Sequence, residues 1–170
     1  MGGNRAFDEF FRAGLPRARR VAERIVGRAE ADDAAAEAFA RALASWRRVG
    51  RLPYREAWLL RVTANVAVDM ARRRRPSVDV DVAGGLEGDA GLEESDRVAD
   101  RVALAAALGL LAPRQREVVV LRFVAGLSVD QVAGALRISA NTVKTHSSRG
   151  LDALRRVLGE EGEDVLGRVL

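Results

Sequence analysis

The chain has 170 residues, enough for one domain or two small ones, and its 48% hydrophobic and 31% charged composition is that of a globular protein rather than a disordered one. With no cysteine and one histidine, disulfides, thiolate metal sites and cysteine nucleophiles are excluded, and neither a zinc centre nor any other cofactor is expected. Charge is unevenly spread: residues 1–76 hold seventeen Arg against nine acids (net +8), residues 77–96 hold seven acids and no base (net −7), and residues 97–170 are net +3.

In chain order, Phe7, Phe10, Phe11 and Leu15, then Val21, Ala22, Ile25 and Val26, recur at helical spacing. Pro16 is expected to break or restart this helix, and Gly27 to stop it. An Ala-rich helix opens at Asp32-Asp33, where carboxylates complement the helix dipole, and carries Phe39, Ala42, Leu43 and Trp46. After a polar loop from Arg47 to Pro53, a longer helix runs from about Tyr54 to Arg75 and ends at Pro76.

Residues 77–96 have no helical period and read as an extended acidic linker. Asp79 and Asp81 hint at a calcium loop, but Ala83 and Ala90 stand where ligands are needed. Ser95 can cap a helix carrying Val98, Val102, Leu104, Leu108 and Leu111. Pro113 suits the first turn of the next helix and Gly126 its end. Ser128 and Gln131 form a capping-box pattern before a short helix, Val129 to Leu136. The turn Arg137-Ile138-Ser139 leads to a helix from Ala140 to about Leu158, with Ser139 as its N-cap. The tail beyond Gly159 either adds one helical turn or frays. The expectation is an all-α protein of two small helical domains, 1–76 and 97–170, joined by the acidic linker 77–96. The first eleven residues lack a signal-peptide core, and no apolar run approaches the roughly 20 residues that span a bilayer. The chain reads as cytoplasmic, with no membrane partner.

No constellation looks catalytic, so the chain is not expected to be an enzyme. His146 and Ser147 are adjacent on a helix and face different ways, and His146 reads as a helix-surface residue or phosphate contact. The sharpest signal is residues 128–149. A capped helix, a tight turn and a second helix, with Ala133, Ile138 and Val143 at core positions, make a helix-turn-helix. Asn141, Thr142, Lys144, Thr145, Ser148 and Arg149 are then left for an outer surface that can enter a DNA major groove. Arg137 departs from the usual pattern, because a glycine often supplies this turn. In the longer helix, Leu59, Val62, Val66 and Met70 form a buried stripe, while Arg61, Asn65, Asp69 and Arg73 recur at i+4 on another line that runs into Arg72, Arg73, Arg74 and Arg75. Such a line suits a reading face with a phosphate anchor. An i,i+4 pair between Asp69 and Arg73 on a solvated face is the plainer reading. Trp46 and Trp58 are candidates to stack bases, with core packing the better assignment for Trp58.

The stretch WLLRVTANVAVDMARRRR (58–75) resembles the promoter-melting helix of extracytoplasmic-function sigma factors, and residues 113–155 are similar to their C-terminal domain. The resemblance implies a non-enzymatic RNA polymerase subunit. Its first domain would bind the clamp coiled coil of core polymerase and open the −10 element. Its second would bind the flap and read the −35 element of promoter DNA. Asn65 and Asp69 match family positions on the −10 helix, Arg72 to Arg75 its basic end, and the loop Val49 to Arg55 the family's pocket for a flipped base. Asp33, Glu37 and Phe39 match the polymerase-binding helix, although Ala34, Ala35 and Ala36 depart from its pattern. The resemblance leaves open whether an anti-sigma factor is a further partner. The alternative is a helix-turn-helix activator of the response-regulator output type, whose recognition motif is closely similar. A DNA-independent helical adaptor is a third reading, against which both basic modules argue.

Overall fold

The computed structural model describes residues 2–74, 89–159 and 162–169, and every regular element among them is helical. The first unit holds α1 (Gly2–Val26), α2 (Arg28–Ala44), the single turn α3 (Trp46–Val49) and α4 (Arg55–Arg73). The second holds α5 (Asp89–Leu110) and α6 (Pro113–Val119), which runs on as a π-helical turn over Val120–Val124. It continues with α7 (Val129–Leu136), α8 (Ala140–Leu158) and α9 (Gly162–Val169).

Helix α1 does not break at Pro16. The missing N–H orphans the carbonyl four residues back, at Arg12, but both residues are exposed and water can serve that oxygen. Phe10, Ala18, Val21, Ala22 and Ile25 are buried and hold the two halves of the helix on one line. Tertiary packing therefore overrides the local signal. Helix α2 starts at Arg28, four residues before the acidic pair.

Helix α4 is the central strut. Leu59, with Phe10, Phe39, Val49, Ala35 and Ala42, closes an aromatic-rich core of the first unit. Leu60, Ala64, Val66, Ala67 and Val68 join Leu104, Leu108 and Leu111 of α5, Val118 to Leu121, Val143 and Leu154 in a second core. Thr63, fully buried, donates its hydroxyl hydrogen to the Leu59 carbonyl at 3.0 Å, so it adds no unsatisfied group. The second core runs through both units, so the two modules pack against each other rather than standing apart.

The second unit also differs from the sequence expectation. Helix α5 begins at Asp89, so residues 89–96 are helix rather than linker; of that run only Gly91 opposes a helix, and the absence of an apolar period hid it. The part of the linker expectation that falls on 77–88 lies outside the described residues. Val98 and Val102 are also not core: they are 46% and 56% exposed and, with Leu110, line a cleft of about 650 Å³ against α1, α2 and α4. The tail after Gly159 forms two turns of helix. Val165 and Leu166 are buried, and Arg168 donates two hydrogen bonds, of 2.5 and 2.9 Å, to the carboxylate of Asp100 on α5. These bonds and the Arg168 charge hold the Asp100 carboxyl below its ordinary value.

Candidate nucleic-acid interface

The helix-turn-helix is built from its caps outward. Ser128 Oγ accepts from Gln131 N at 3.1 Å while Gln131 Oε1 accepts from Ser128 N at 2.8 Å, which satisfies two orphan donors at the start of α7. The helix ends on Arg137, the one non-glycine residue with positive φ among the described residues (φ 55°, ψ 49°). That left-handed residue turns the chain so that Ile138 N bonds the Ala133 carbonyl at 3.1 Å. Ser139 then caps α8, accepting from Thr142 N at 3.0 Å.

Helix α8 buries Val143, Gly150 and Leu154. A Cβ on Gly150 would lie 2.4 Å from Val119 Cγ2, so only glycine lets α8 rest this closely on α6 and its π turn. Sequence reasoning passed over this residue, because a glycine inside a helix reads as a weak breaker; only its inward phase, seven residues after Val143 and four before Leu154, marks it.

The opposite face of α8 carries Asn141, Lys144, Thr145, Ser148 and Arg149, all exposed. Lys144 and Arg149 have no ion-pair partner among the described residues, so both cations are available to an external anion. Thr142 is half-buried and occupied by the cap, its hydroxyl 2.8 Å from Ser139 Oγ. The Thr145 hydroxyl donates to the Asn141 carbonyl at 3.0 Å, which leaves its methyl group outward. His146 is not the surface residue expected: it is half-buried, and its Nδ1 is covered without a hydrogen-bond partner.

On α4, Arg61, Asn65 and Asp69 are half-buried along one line that becomes exposed at Arg72 and Arg73. Arg61 Nη1 lies 3.2 Å from Glu117 Oε1 of α6. Arg74 pairs with Glu30 at 2.5 Å, and the stem of Arg72 lies along the backbone at Gly109. The Asp69–Arg73 pair does not occur among the described ion pairs, and Arg75 lies outside the described residues. The turn α3 before the loop into α4 is closed at its end: Gly50 N bonds the Trp46 carbonyl at 2.9 Å, and Val49 is buried. Trp46 joins the Phe cluster, 5.1 Å edge-on to Phe7 and 5.2 Å from Phe10, so it packs rather than offering a free stacking face.

Asp33 and Glu37 are exposed on the outer side of α2, with Glu37 paired to Arg41 at 2.8 Å. Phe39 is not on that surface. It is 3% exposed and packs 4.7 Å from Phe11 and 5.7 Å from Phe10, so its place is the core beneath α2. Ala34 and Ala35 are fully buried in the helix crossings, which explains why larger side chains are absent there.

The family model for Sigma-70 region 2 matches residues 10–76, and that for Sigma-70, region 4 matches residues 101–154. An RNA polymerase sigma-E factor of Streptomyces avermitilis is 34% identical over 166 residues, covering 96% of this chain and 90% of the relative. The ECF RNA polymerase sigma factor SigM of Mycobacterium tuberculosis is 32% identical over 170 residues, covering 93% and 80%. Among solved structures, CnrH in complex with the cytosolic domain of CnrY aligns with a TM-score of 0.56 and 25% identity, covering 91% of this chain and 88% of that one.

Proposed function

The chain belongs to the extracytoplasmic-function sigma factors of RNA polymerase, and from that membership we propose how its surfaces divide the work of promoter-specific initiation. The observation that carries the proposal is the second helix of the helix-turn-helix, capped at Ser139, packed through Gly150, and outwardly lined with Asn141, Lys144, Thr145, Ser148 and Arg149.

In this reading α8 enters the major groove at the −35 element. Lys144 and Arg149 hold phosphates, and Asn141 at the helix start reaches a base edge. Thr142 holds the first turn in place. The line Arg61, Asn65, Asp69 on α4 faces the −10 element, with Arg72, Arg73 and Arg74 on its phosphates and Arg75 continuing the run. Asp69 has no Arg73 partner to orient, which favours a direct role: a carboxylate accepts from a base amino group such as that of cytosine. Asp33 and Glu37 offer α2 to the clamp coiled coil of core polymerase, and Phe39 shapes that helix from below. The second unit would dock on the flap. CnrH was captured with the cytosolic domain of CnrY, and an anti-sigma factor is by the same token a natural further partner for this chain.

The protein supplies position and strand separation, while the polymerase supplies the chemistry; it is not an enzyme in its own right. It acts where the polymerase acts, in the cell interior, and no helix of the described residues is long and apolar enough to cross a membrane. The response-regulator alternative is not favoured. The region 2 match covers residues 10–76, and the described residues among them include no strand from which a βα receiver could be built.

Run-off transcription with purified core polymerase and sheared genomic DNA tests the reading. Discrete transcripts that require this protein are expected. No transcript above the core-alone background would remove it.

A further inference from the structure

We propose that the cleft between α5 and the first unit is a binding site for a single-chain amphipathic anion, its hydrocarbon tail lying along α5 and its carboxylate or phosphate head at Arg101. The inference goes beyond promoter recognition and stands whether or not α4 opens DNA. Val98, Val102, Ala106 and Leu110 recur at i+4 along α5, on the side turned away from Leu104 and Leu108 of the core. Val98 and Val102 are about half exposed and Leu110 is 72% exposed. With Val26 at the end of α1 and Ala71 of α4, this stripe floors the cleft of about 650 Å³. Large apolar side chains exposed singly need no explanation, but a row of them along one cleft marks a ligand groove.

The walls are cationic. Arg28, Arg72, Arg74 and Arg101 line the same cleft against one carboxylate among the described residues, Glu30, and Arg74 holds that carboxylate at 2.5 Å. Arg101 reaches from α5 to the junction of α1 and α2, where a Cβ on Gly27 would lie 3.4 Å from its Nε. Arg72 reaches from α4 to α5, where a Cβ on Gly109 would lie 3.2 Å from its Cδ. Positions 101 and 109 lie about 12 Å apart along the helix axis, so the apolar floor has a guanidinium side chain at each end. At the Arg101 end it adjoins a second cleft, of about 540 Å³, which Arg101 also lines with Arg20, Arg24, Arg97 and Arg168 against Glu23 and Asp100. A cleft lined mainly by one sign of charge focuses its field and gathers counter-ions. The head group therefore lies toward Arg101 and the tail toward Leu110.

Size chooses the occupant. Small-molecule sites enclose roughly 300–1,000 Å³, and this cleft falls within that range. A helix with its side chains fills about 400–600 Å³ per turn, so a partner helix would seat little more than one turn here, far less than a stable protein contact needs. A single alkyl chain lies inside whole and covers the α5 stripe. Charge then separates the amphiphiles: a cationic one gains the same apolar contact but meets guanidinium groups with its head.

Isothermal titration calorimetry of the full chain with octanoate, decanoate and decyltrimethylammonium, each kept below its micelle-forming concentration, tests the site. Decanoate should bind at a single site. Octanoate should bind roughly fifteenfold more weakly, because each buried methylene is worth about fourfold in affinity. Decyltrimethylammonium should bind roughly tenfold more weakly than decanoate. Val102→Asp and Leu110→Asp, both at exposed positions of the stripe, should each weaken decanoate by roughly tenfold or more. Val157→Asp, at an exposed apolar position of α8 outside the cleft, should not. Arg101→Gln should narrow the preference for decanoate over decyltrimethylammonium. Circular dichroism checks that each variant is folded. Equal affinity for anion and cation, several sites that neither α5 variant disturbs, or no uptake of decanoate by the wild type would overturn the proposal. Sedimentation with phosphatidylglycerol vesicles separates a free amphiphile from a membrane lipid: capture by vesicles without uptake of decanoate would place the contact on a bilayer surface and overturn it too. Binding is read without polymerase or DNA, so a failed run-off experiment would remove the promoter reading and leave this one to its own test.

Discussion

Arg137 makes the turn of the helix-turn-helix in a conformation that glycine adopts freely and arginine does not. At φ 55° and ψ 49° it sits in the left-handed region, where a Cβ crowds the following carbonyl at a cost of about 1–2 kcal/mol. Arg137→Gly removes that cost but adds roughly 0.5–1 kcal/mol of unfolded-chain entropy. The balance is a gain of about 0.5–1 kcal/mol. For a chain of this length that raises the melting temperature by roughly 2–3 °C. Arg137 is exposed and ends in no hydrogen bond or ion pair among the described residues, so Arg137→Ala, which keeps the Cβ, should stay within about 0.5 kcal/mol of wild type. Urea unfolding followed by circular dichroism at fixed protein concentration gives the three stabilities. The expected order is Gly above Arg, with Ala near Arg. A glycine variant no more stable than wild type, or an alanine variant stabilised as much as glycine, would refute the backbone argument. The second outcome would place the effect in the side chain.

Further outcomes follow from the same packing. Ser139→Ala should cost about 1 kcal/mol and expose the amide of Thr142 to hydrogen exchange, whereas Ser139→Asp should retain the cap. Lys144→Ala and Arg149→Ala should each weaken −35 DNA binding across all sequences and flatten the log–log salt dependence by about 0.9, read by fluorescence anisotropy over a salt series. The Asp100 carboxyl is held below its ordinary 3.8 by the hydrogen bonds and charge of Arg168. A depressed folded pKa gives stability that is complete above the unfolded pKa and is lost as pH falls through the folded one. Asp100→Asn should therefore lower stability at neutral pH and lose less of it below about pH 4 than wild type does, measured by urea midpoints from pH 3 to 7.

The helix-turn-helix was legible because its determinants are local. Ser128 with Gln131, Pro113 at a first turn, Ser139 as a cap, and the bounds Val129–Leu136 and Ala140–Leu158 all rest on bonds made within a few residues. Where long-range packing decides, the sequence misled. Pro16 is carried through α1 by a buried stripe on both sides of it. Phe39 matched a polymerase-binding pattern, yet it faces the aromatic core. The start of α5 at Asp89 carried no apolar period in the sequence, so nothing marked it as helix. The tail helix gave only Val165, Leu166, Val169 and Leu170 as a hint, while Asp100, the residue that fixes it, lies 68 positions away from Arg168. The pairing of Arg61 with Glu117 had no sequence signal at all. It depends on how two modules meet, and each module's pattern is complete without the other.

The central claim is that this protein opens promoters through α4 while α8 holds the −35 element. Permanganate footprinting of −10 thymines, on a promoter recovered from the run-off experiment, tests it most directly. With core polymerase and wild-type protein the thymines should become reactive, and with Arg72→Ala/Arg73→Ala they should remain largely protected at moderate salt. Full reactivity with the double variant, or none with the wild type, would contradict the account.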